Sequence, residues 1–382
     1  MTAAAGAAPT TGARDAGSWR EAALVALPAW LTARAVVLAA FGLARYLGDE
    51  VRPARAIVTR TTHEGLIAWD GSWYADIASR GYGAMSRDAL RFFPGFPMSG
   101  RVLGVVVGDR AALVVIANVA AFAALVLLHR LVRWERGDAA LASRAVWFLA
   151  LAPSAFVFVM AYSDALAVAL AIATFLAARR QRWWWAAAAA IVVGVTRPTG
   201  MILAVPVLIE AWRGFVDAGG RERVARIAAV AAAPLGTVVY LAWVGATRDD
   251  PLLPYSVQAT SRLHGEFADP LSTLWHALGG VFDHRIGTAL HVPWLAVMVA
   301  LVVVVFLRWP ASYGVFAALV VASSVTSTNL DSLERYGLFA FPLVLAVADL
   351  TSRRLVERIV FVVLPVALFG YAVLAFSGLY VP

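Results

Sequence analysis

Apolar runs of roughly 15–25 residues recur along almost the whole chain, separated by short polar connectors, and this spacing predicts membrane-spanning helices. The runs are continuous rather than alternating, which argues against a transmembrane barrel. The expected spans lie at 21–47, 111–132, 139–161, 164–179, 183–197, 199–213, 224–246, 288–307, 310–328, 335–351 and 357–380, about eleven in all. Segment Phe92 to Gly108 is apolar but short and broken by Pro and Gly, so it reads as interfacial or re-entrant. Residues 1–20 are rich in Ala, Gly and Thr and lack the basic-then-apolar order of a signal peptide, which predicts a disordered cytoplasmic tail. The fold class expected is therefore an all-α polytopic membrane protein. Residues 21–382 form one membrane domain, with a large first extracytoplasmic loop over 48–100 and a second loop near 247–287.

Composition agrees with this pattern: 61% of residues are hydrophobic and 15% charged, against about 25% charged in a soluble domain. The net charge of +8 comes from arginine alone, since lysine is absent. With so much Ala, Val, Leu and Gly, the missing lysine points to a GC-rich bacterial genome and so to a bacterial plasma membrane. No basic stripe with interleaved aromatics is present, so nucleic acid is not an expected partner. Membrane lipids are. Cysteine is absent, which excludes disulfides, thiolate metal sites and cysteine nucleophiles.

Arginine also sets the expected orientation. Arg130, Arg133, Arg136 and Arg144, then Arg179, Arg180 and Arg182, then Arg213, Arg221, Arg223 and Arg226, then Arg308, then Arg353, Arg354 and Arg358 all fall on one side if the spans alternate. That side is taken as cytoplasmic. The first loop carries Arg52, Arg55, Arg60, Arg80, Arg87 and Arg91 against this rule, but they are mixed with acids and long loops weigh little. Trp183-Trp184-Trp185 reads as an interfacial aromatic belt. Gly100, Gly104 and Gly108, spaced by four, suit close helix packing.

The richest chemistry lies in the first loop, Trp69-Asp70-Gly71-Ser72-Trp73-Tyr74-Ala75-Asp76-Ile77-Ala78-Ser79-Arg80-Gly81-Tyr82, closing on Phe92-Phe93-Pro94-Gly95-Phe96-Pro97. Asp70 has two readings. It is a good helix N-cap ahead of Trp73 to Ala78. It is equally a general base, a carboxylate flanked by Trp69 and Trp73 at a bilayer edge, able to take a proton from a sugar hydroxyl. Asp76 suits a solvated face or a pair with Arg80. Further along, Asp164, Arg197 and Arg335-Tyr336 sit at span ends on the outward side. Such charges are paired or functional: Asp164 with Arg197 as a structural pair, or Arg197 and Arg335 as phosphate ligands, since guanidinium suits bidentate phosphate contact. His63, His129, His264, His276, His284 and His291 show no metal-ligand spacing, and Asp249-Asp250-Pro251 reads as a turn. No Gly-rich phosphate loop or Gly-x-Ser-x-Gly elbow is present. No metal and no cofactor are expected.

Trp69-Asp70, Ile77-Ala78-x-x-Gly81-Tyr82 and Phe92-Phe93-Pro94-Gly95-Phe96-Pro97 resemble the first-loop signature of the PIG-V mannosyltransferases, the GPI mannosyltransferase II family with its bacterial relatives in the GT-C group. Leu151-Ala152-Pro153-Ser154-Ala155 with Tyr162-Ser163-Asp164, then Arg197-Pro198-Thr199-Gly200, then Arg335-Tyr336 with Pro342 are similar to later family segments in the same order. Asp164 stands where the family more commonly has Glu. The resemblance implies a GT-C-like membrane enzyme. It implies transfer of a sugar, usually mannose, from a polyprenyl-phosphate donor to a lipid or glycan acceptor, with inversion, on the outward face. It makes Asp70 the catalytic base. The substrate-binding residues expected around it are Trp69, Trp73, Tyr82, Arg91, Asp164, Arg197, Arg335 and Tyr336. A lipid-linked saccharide transporter, or a non-catalytic envelope-assembly partner, would also account for the spans. Neither gives the Trp-Asp loop a task, and no internal repeat is visible to favour a transporter.

Overall fold

The computed structural model describes residues 17–50, 56–260, 268–270, 272, 273, 275, 278, 279, 286–326, 330 and 332–380. Outside them lie most of the expected tail, most of the second loop after residue 260, and Arg52, Arg55, His264, His276 and His284. The described residues are helical with no strand. In chain order the helices are α1 Trp19–Glu50, α2 Ala56–Glu64, α3 Asp70–Arg80, α4 Gly95–Val107, α5 Asp109–Arg136, α6 Ala139–Ala150, α7 Asp164–Arg179, α8 Trp183–Thr196, α9 Ala204–Trp212, α10 Gly220–Arg248, α11 Leu253–Gln258, α12 Ile286–Arg308, α13 Ala311–Ser324, α14 Leu333–Phe339, α15 Pro342–Leu350 and α16 Arg354–Phe376.

Five of them are long and apolar enough to cross a membrane: Trp19–Gly48, Asp109–Arg136, Gly220–Arg248, His291–Arg308 and Arg354–Phe376. This is the architecture of an all-α integral membrane protein. Shorter apolar helices fill the space between them. Three expected continuous spans are broken. The run 139–161 is helical only to Ala150, because Pro153 disfavours helix in the residues before it. The run 199–213 starts as a 3-10 turn, Pro198–Leu203, before α9. The run 335–351 divides into α14 and α15 at Ala340, just ahead of Pro342. In the first and third cases Pro interrupts a hydrophobic period that the sequence alone presents as unbroken; in the second, Pro198 opens the 3-10 turn ahead of the run.

The core is built around α5, which packs against α1, α4, α6 and α7. α7 lies inside, against α5 and α8. α8 and α10 approach most closely: a Cβ on Gly194 would lie 2.1 Å from the Ala233 carbonyl, and one on Gly236 2.3 Å from the Ile191 carbonyl. Gly100 and Gly104 do bring α4 onto α5, facing Leu113 and Asp109. Gly108 serves the turn between them, with φ +83°. Of the three tryptophans, Trp184 and Trp185 face outward as a belt would, whereas Trp183 is buried beneath the Arg226 guanidinium.

The first loop is a folded cap. Between α2 and α4 it has its own core of Tyr74, Ile77, Tyr82, Leu90, Phe92, Phe93 and Phe96, packed on α5 and on Tyr240 and Val244 of α10. The arginine-rich connectors meet at the other end of the bundle. Arg179 pairs with Glu135 at 2.6 Å and with Glu210 at 2.8 Å. Arg136 reaches Asp349 and the Arg308 carbonyl, and Arg144 donates to the Ala348 carbonyl. α7 separates the two ends: Asp164 opens it and Arg179 closes it, about 22 Å apart along the axis.

Candidate active site

Trp69 carries an unusual backbone, φ +61° and ψ −125°, immediately before α3. A non-glycine residue held there stores strain, and such strain persists only where surrounding contacts fix it. The indole Nε1–H donates to the Ala375 carbonyl at 2.9 Å. Asp70 is therefore the first helical residue of α3 and makes no capping bond; the capping reading of its carboxylate does not hold. Its N–H donates to the Tyr162 hydroxyl at 3.3 Å, and its Oδ2 accepts from Arg335 Nη1 at 2.6 Å. The N-terminal end of α3 adds favourable potential for the carboxylate.

A second pair lies close by. Arg197 Nη1 donates to Asp164 Oδ1 at 2.5 Å. Asp164 is the first residue of α7, and Arg197 sits on extended backbone between α8 and the following 3-10 turn. The two pairs share aromatic surfaces. The Tyr336 ring lies 5.5 Å from the Arg197 guanidinium and 5.3 Å from that of Arg335. Tyr162 lies 5.4 Å from Arg335, and Phe339 5.3 Å from Arg197. Stacked guanidinium keeps its N–H edge free for in-plane bonds. Tyr74 ties α3 to the Tyr-Ser-Asp turn through a 2.9 Å bond between its hydroxyl and that of Ser163. Burial first, and then the Asp70 charge, push the Tyr74 phenol above its usual pKa, so it stays neutral.

Exposure separates the two carboxylates. The Asp70 side chain is 24% exposed and that of Asp164 3%. Asp70 can meet a substrate; Asp164 is committed to Arg197. The expected phosphate ligands Arg197 and Arg335 are thus both held by aspartates in this structure. Arg91 is held differently. Its guanidinium lies 4.6 Å from Phe92 and 5.6 Å from Trp73, its Nε is buried with no hydrogen-bond partner, and no carboxylate pairs with it among the described residues. Trp73 lies one helical turn from Asp70, on the same face of α3.

Asp70, Trp69, Asp164, Arg197, Arg335 and Tyr336 are therefore brought together, with Trp73 one turn along α3 and the Arg91 guanidinium 5.6 Å from the Trp73 ring. Tyr82 stands apart: it is buried, donates to the Phe92 carbonyl at 2.5 Å and packs beside Tyr240, holding the loop in shape. Asp76 pairs with Arg80 at 2.5 Å, as its spacing implied. Gly95 of the Phe-Pro-Gly motif abuts α8, where an added Cβ would lie 2.3 Å from Thr196 Oγ1, next to Arg197.

Sequence reasoning missed Glu334. Its carboxylate is buried and meets His291 Nδ1 at 2.9 Å, the Tyr380 hydroxyl at 2.8 Å and the Tyr371 hydroxyl at 3.5 Å. Its carbonyl accepts from Ser154 Oγ at 2.8 Å. The partners lie 37 to 180 positions away, so no local pattern reports them. Among the described residues, no group of three His, Cys, Asp or Glu side chains could hold a metal ion. Comparison with protein-family models and with curated proteins finds no match.

Proposed function

We propose that the chain is a membrane glycosyltransferase of PIG-V type. It moves a sugar, mannose being the first to test, from a polyprenyl-phosphate donor to a lipid or glycan acceptor with inversion. One observation carries this reading. Trp69-Asp70, Tyr162-Ser163-Asp164, Arg197 and Arg335-Tyr336, four of the segments on which the family resemblance rests, meet in one cluster, where Asp70 and Arg335 pair across 265 positions. A purely structural role would not require the most exposed carboxylate of the cluster to follow a strained residue, Trp69, at a helix start.

In this reading Asp70 accepts the proton of the acceptor hydroxyl. The hydroxyl oxygen forms its bond to the anomeric carbon from the side opposite the phosphate. The carbon–oxygen bond to phosphate breaks, and the lipid phosphate departs with the electron pair. Arginine charge near that phosphate supplies most of the barrier reduction, because charge develops there in the transition state. Arg91 has no carboxylate partner among the described residues, and Trp73 offers an apolar face beside it.

The proposed topology has about eleven crossings. Six shorter units join the five long helices: α6 with 151–163, α7, α8, the 198–212 segment, α13, and α14 with α15. Broken crossings are tolerated where their backbone is buried in protein. α4 stays interfacial. The Asp70 end faces outward from a bacterial plasma membrane, and the arginine-rich connectors face the cytoplasm.

The test is a proteoliposome experiment with radiolabelled polyprenyl-phosphate mannose and an extract of the source membrane as acceptor. Label moving from donor to acceptor, with release of polyprenyl phosphate, is expected. Label crossing the bilayer with the donor intact would mark a transporter and contradict the proposal.

A further inference from the structure

The reaction just described moves one negative charge. Before it, Asp70 is a carboxylate and the donor is a phosphodiester monoanion. Afterwards Asp70 is a carboxylic acid, the sugar is bonded to the acceptor oxygen, and the lipid phosphate is a monoester dianion. Atoms and charge balance with no other reactant. The question is which group of the protein responds to that displacement.

Arg335 stands at its origin. It is the one cation bonded to the Asp70 carboxylate among the described residues, through Nη1 at 2.6 Å. A guanidinium has five N–H donors, and the Arg335 Nε–H is buried with no acceptor. A buried donor left open is costly, so Arg335 gains a bond wherever a shift of its side chain brings this N–H to an acceptor. The guanidinium lies against the rings of Tyr162 and Tyr336, at 5.4 and 5.3 Å, surfaces along which it can shift without losing contact. The backbone beneath it is fixed. Glu334, the preceding residue, is bonded through its side chain to His291 and Tyr380 and through its carbonyl to Ser154. A change at Arg335 is therefore a side-chain movement with α14 held still.

We infer that Arg335 passes from the Asp70 carboxylate to the departing phosphate, so that proton capture and leaving-group stabilisation are one coupled event. The inference rests on the glycosyltransferase reading. Protonation removes the charge that holds Arg335 at Asp70, and the bond that remains is roughly half as strong. The phosphate gains its second charge in the same step. The resting ion pair thus holds Asp70 ionised and oriented, and releases its cation only as the chemistry proceeds. Product release then needs the reverse move: Asp70 must lose its proton before Arg335 leaves the lipid phosphate.

Asp70→Asn imitates the protonated state, and binding to it needs no turnover. Farnesyl phosphate, a monoester, is the probe, with methyl farnesyl phosphate as the singly charged control. Binding is measured by calorimetry on the full chain in detergent. Asp70→Asn is expected to bind the monoester about tenfold more tightly than wild type, the diester control much less so. Asp70→Ala, which also removes the charge, tightens in the same direction. Adding Arg335→Gln to either variant abolishes the gain. Equal or weaker monoester binding by both Asp70 variants overturns the inference. If wild type still transfers sugar in that case, the glycosyltransferase reading stands without it. If wild type binds neither probe and transfers nothing, both fail together.

Discussion

Two aspartates with similar partners have different uses, and burial separates them. Asp164 and Arg197 are both nearly inaccessible, at 3% and 7% side-chain exposure. A buried pair broken on one side leaves an uncompensated charge. Asp164→Asn is expected to destabilise the protein by about 3–5 kcal/mol, seen as a lower melting temperature in detergent, and Asp164→Asn with Arg197→Gln to regain part of that loss. If the single variant melts like wild type, the pair is not the structural anchor described here. Arg91 sits at the other extreme, with aromatic contacts and no carboxylate. Arg91→Gln is expected to weaken donor binding while leaving the melting temperature within about 0.5 kcal/mol equivalent of wild type; unchanged affinity would remove Arg91 from the phosphate site.

At the scale of elements, the first loop works as a folded lid held on α5, α8 and α10. Its glycine at 95 is fixed by contact rather than by backbone angle. A Cβ there would meet Thr196 Oγ1 and lie 3.0 Å from the Thr196 and Val195 backbone, so α4 must shift relative to Arg197. Gly95→Ala is expected to cost about 1–3 kcal/mol and to lower transfer rate together with thermal stability. Loss of stability with full activity would show that the lid does not position the site. Buried phenols add a pH dependence. Burial raises the pKa of Tyr74 and Tyr82 above the usual 10.0. The unfolded chain therefore ionises first, and the stability they supply is complete below pH 10 and falls as pH rises beyond it. Tyr74→Phe should flatten the alkaline part of that decline in a melting series.

This scale also shows where the sequence was readable. α5, α7, α8, α10, α12 and α16 follow their apolar runs within a few residues, because a continuous run has one low-energy arrangement in lipid. The run 335–351 misleads, since hydropathy does not register that Pro342 cannot continue α14. Asp70, Arg197 and Arg335 were visible as costly charges beside apolar runs. The Asp164–Arg197 pair was also legible there, and it forms. That Asp70 takes Arg335 was not visible, because pairing at such separation depends on how helices pack. Glu334 was invisible for the same reason.

Over the whole molecule, charge is divided between two ends. One gathers Asp70, Asp164, Arg197 and Arg335; the other gathers Glu135, Arg179, Glu210 and the arginine-rich connectors. Because the chain has no cysteine, single cysteines report sidedness without background. A cysteine at Gly83 in the lid should react with an impermeant thiol reagent applied to intact cells, and one at Arg221 only after permeabilisation. The reverse pattern would invert the proposed topology.

The central claim is that Asp70 takes the acceptor's proton. The most direct measurement is the initial rate of sugar transfer from polyprenyl-phosphate mannose by purified wild type and Asp70→Asn, with folding checked by melting temperature. The account predicts a folded variant slower by about 10²–10⁴. A folded variant that transfers sugar at the wild-type rate would contradict it.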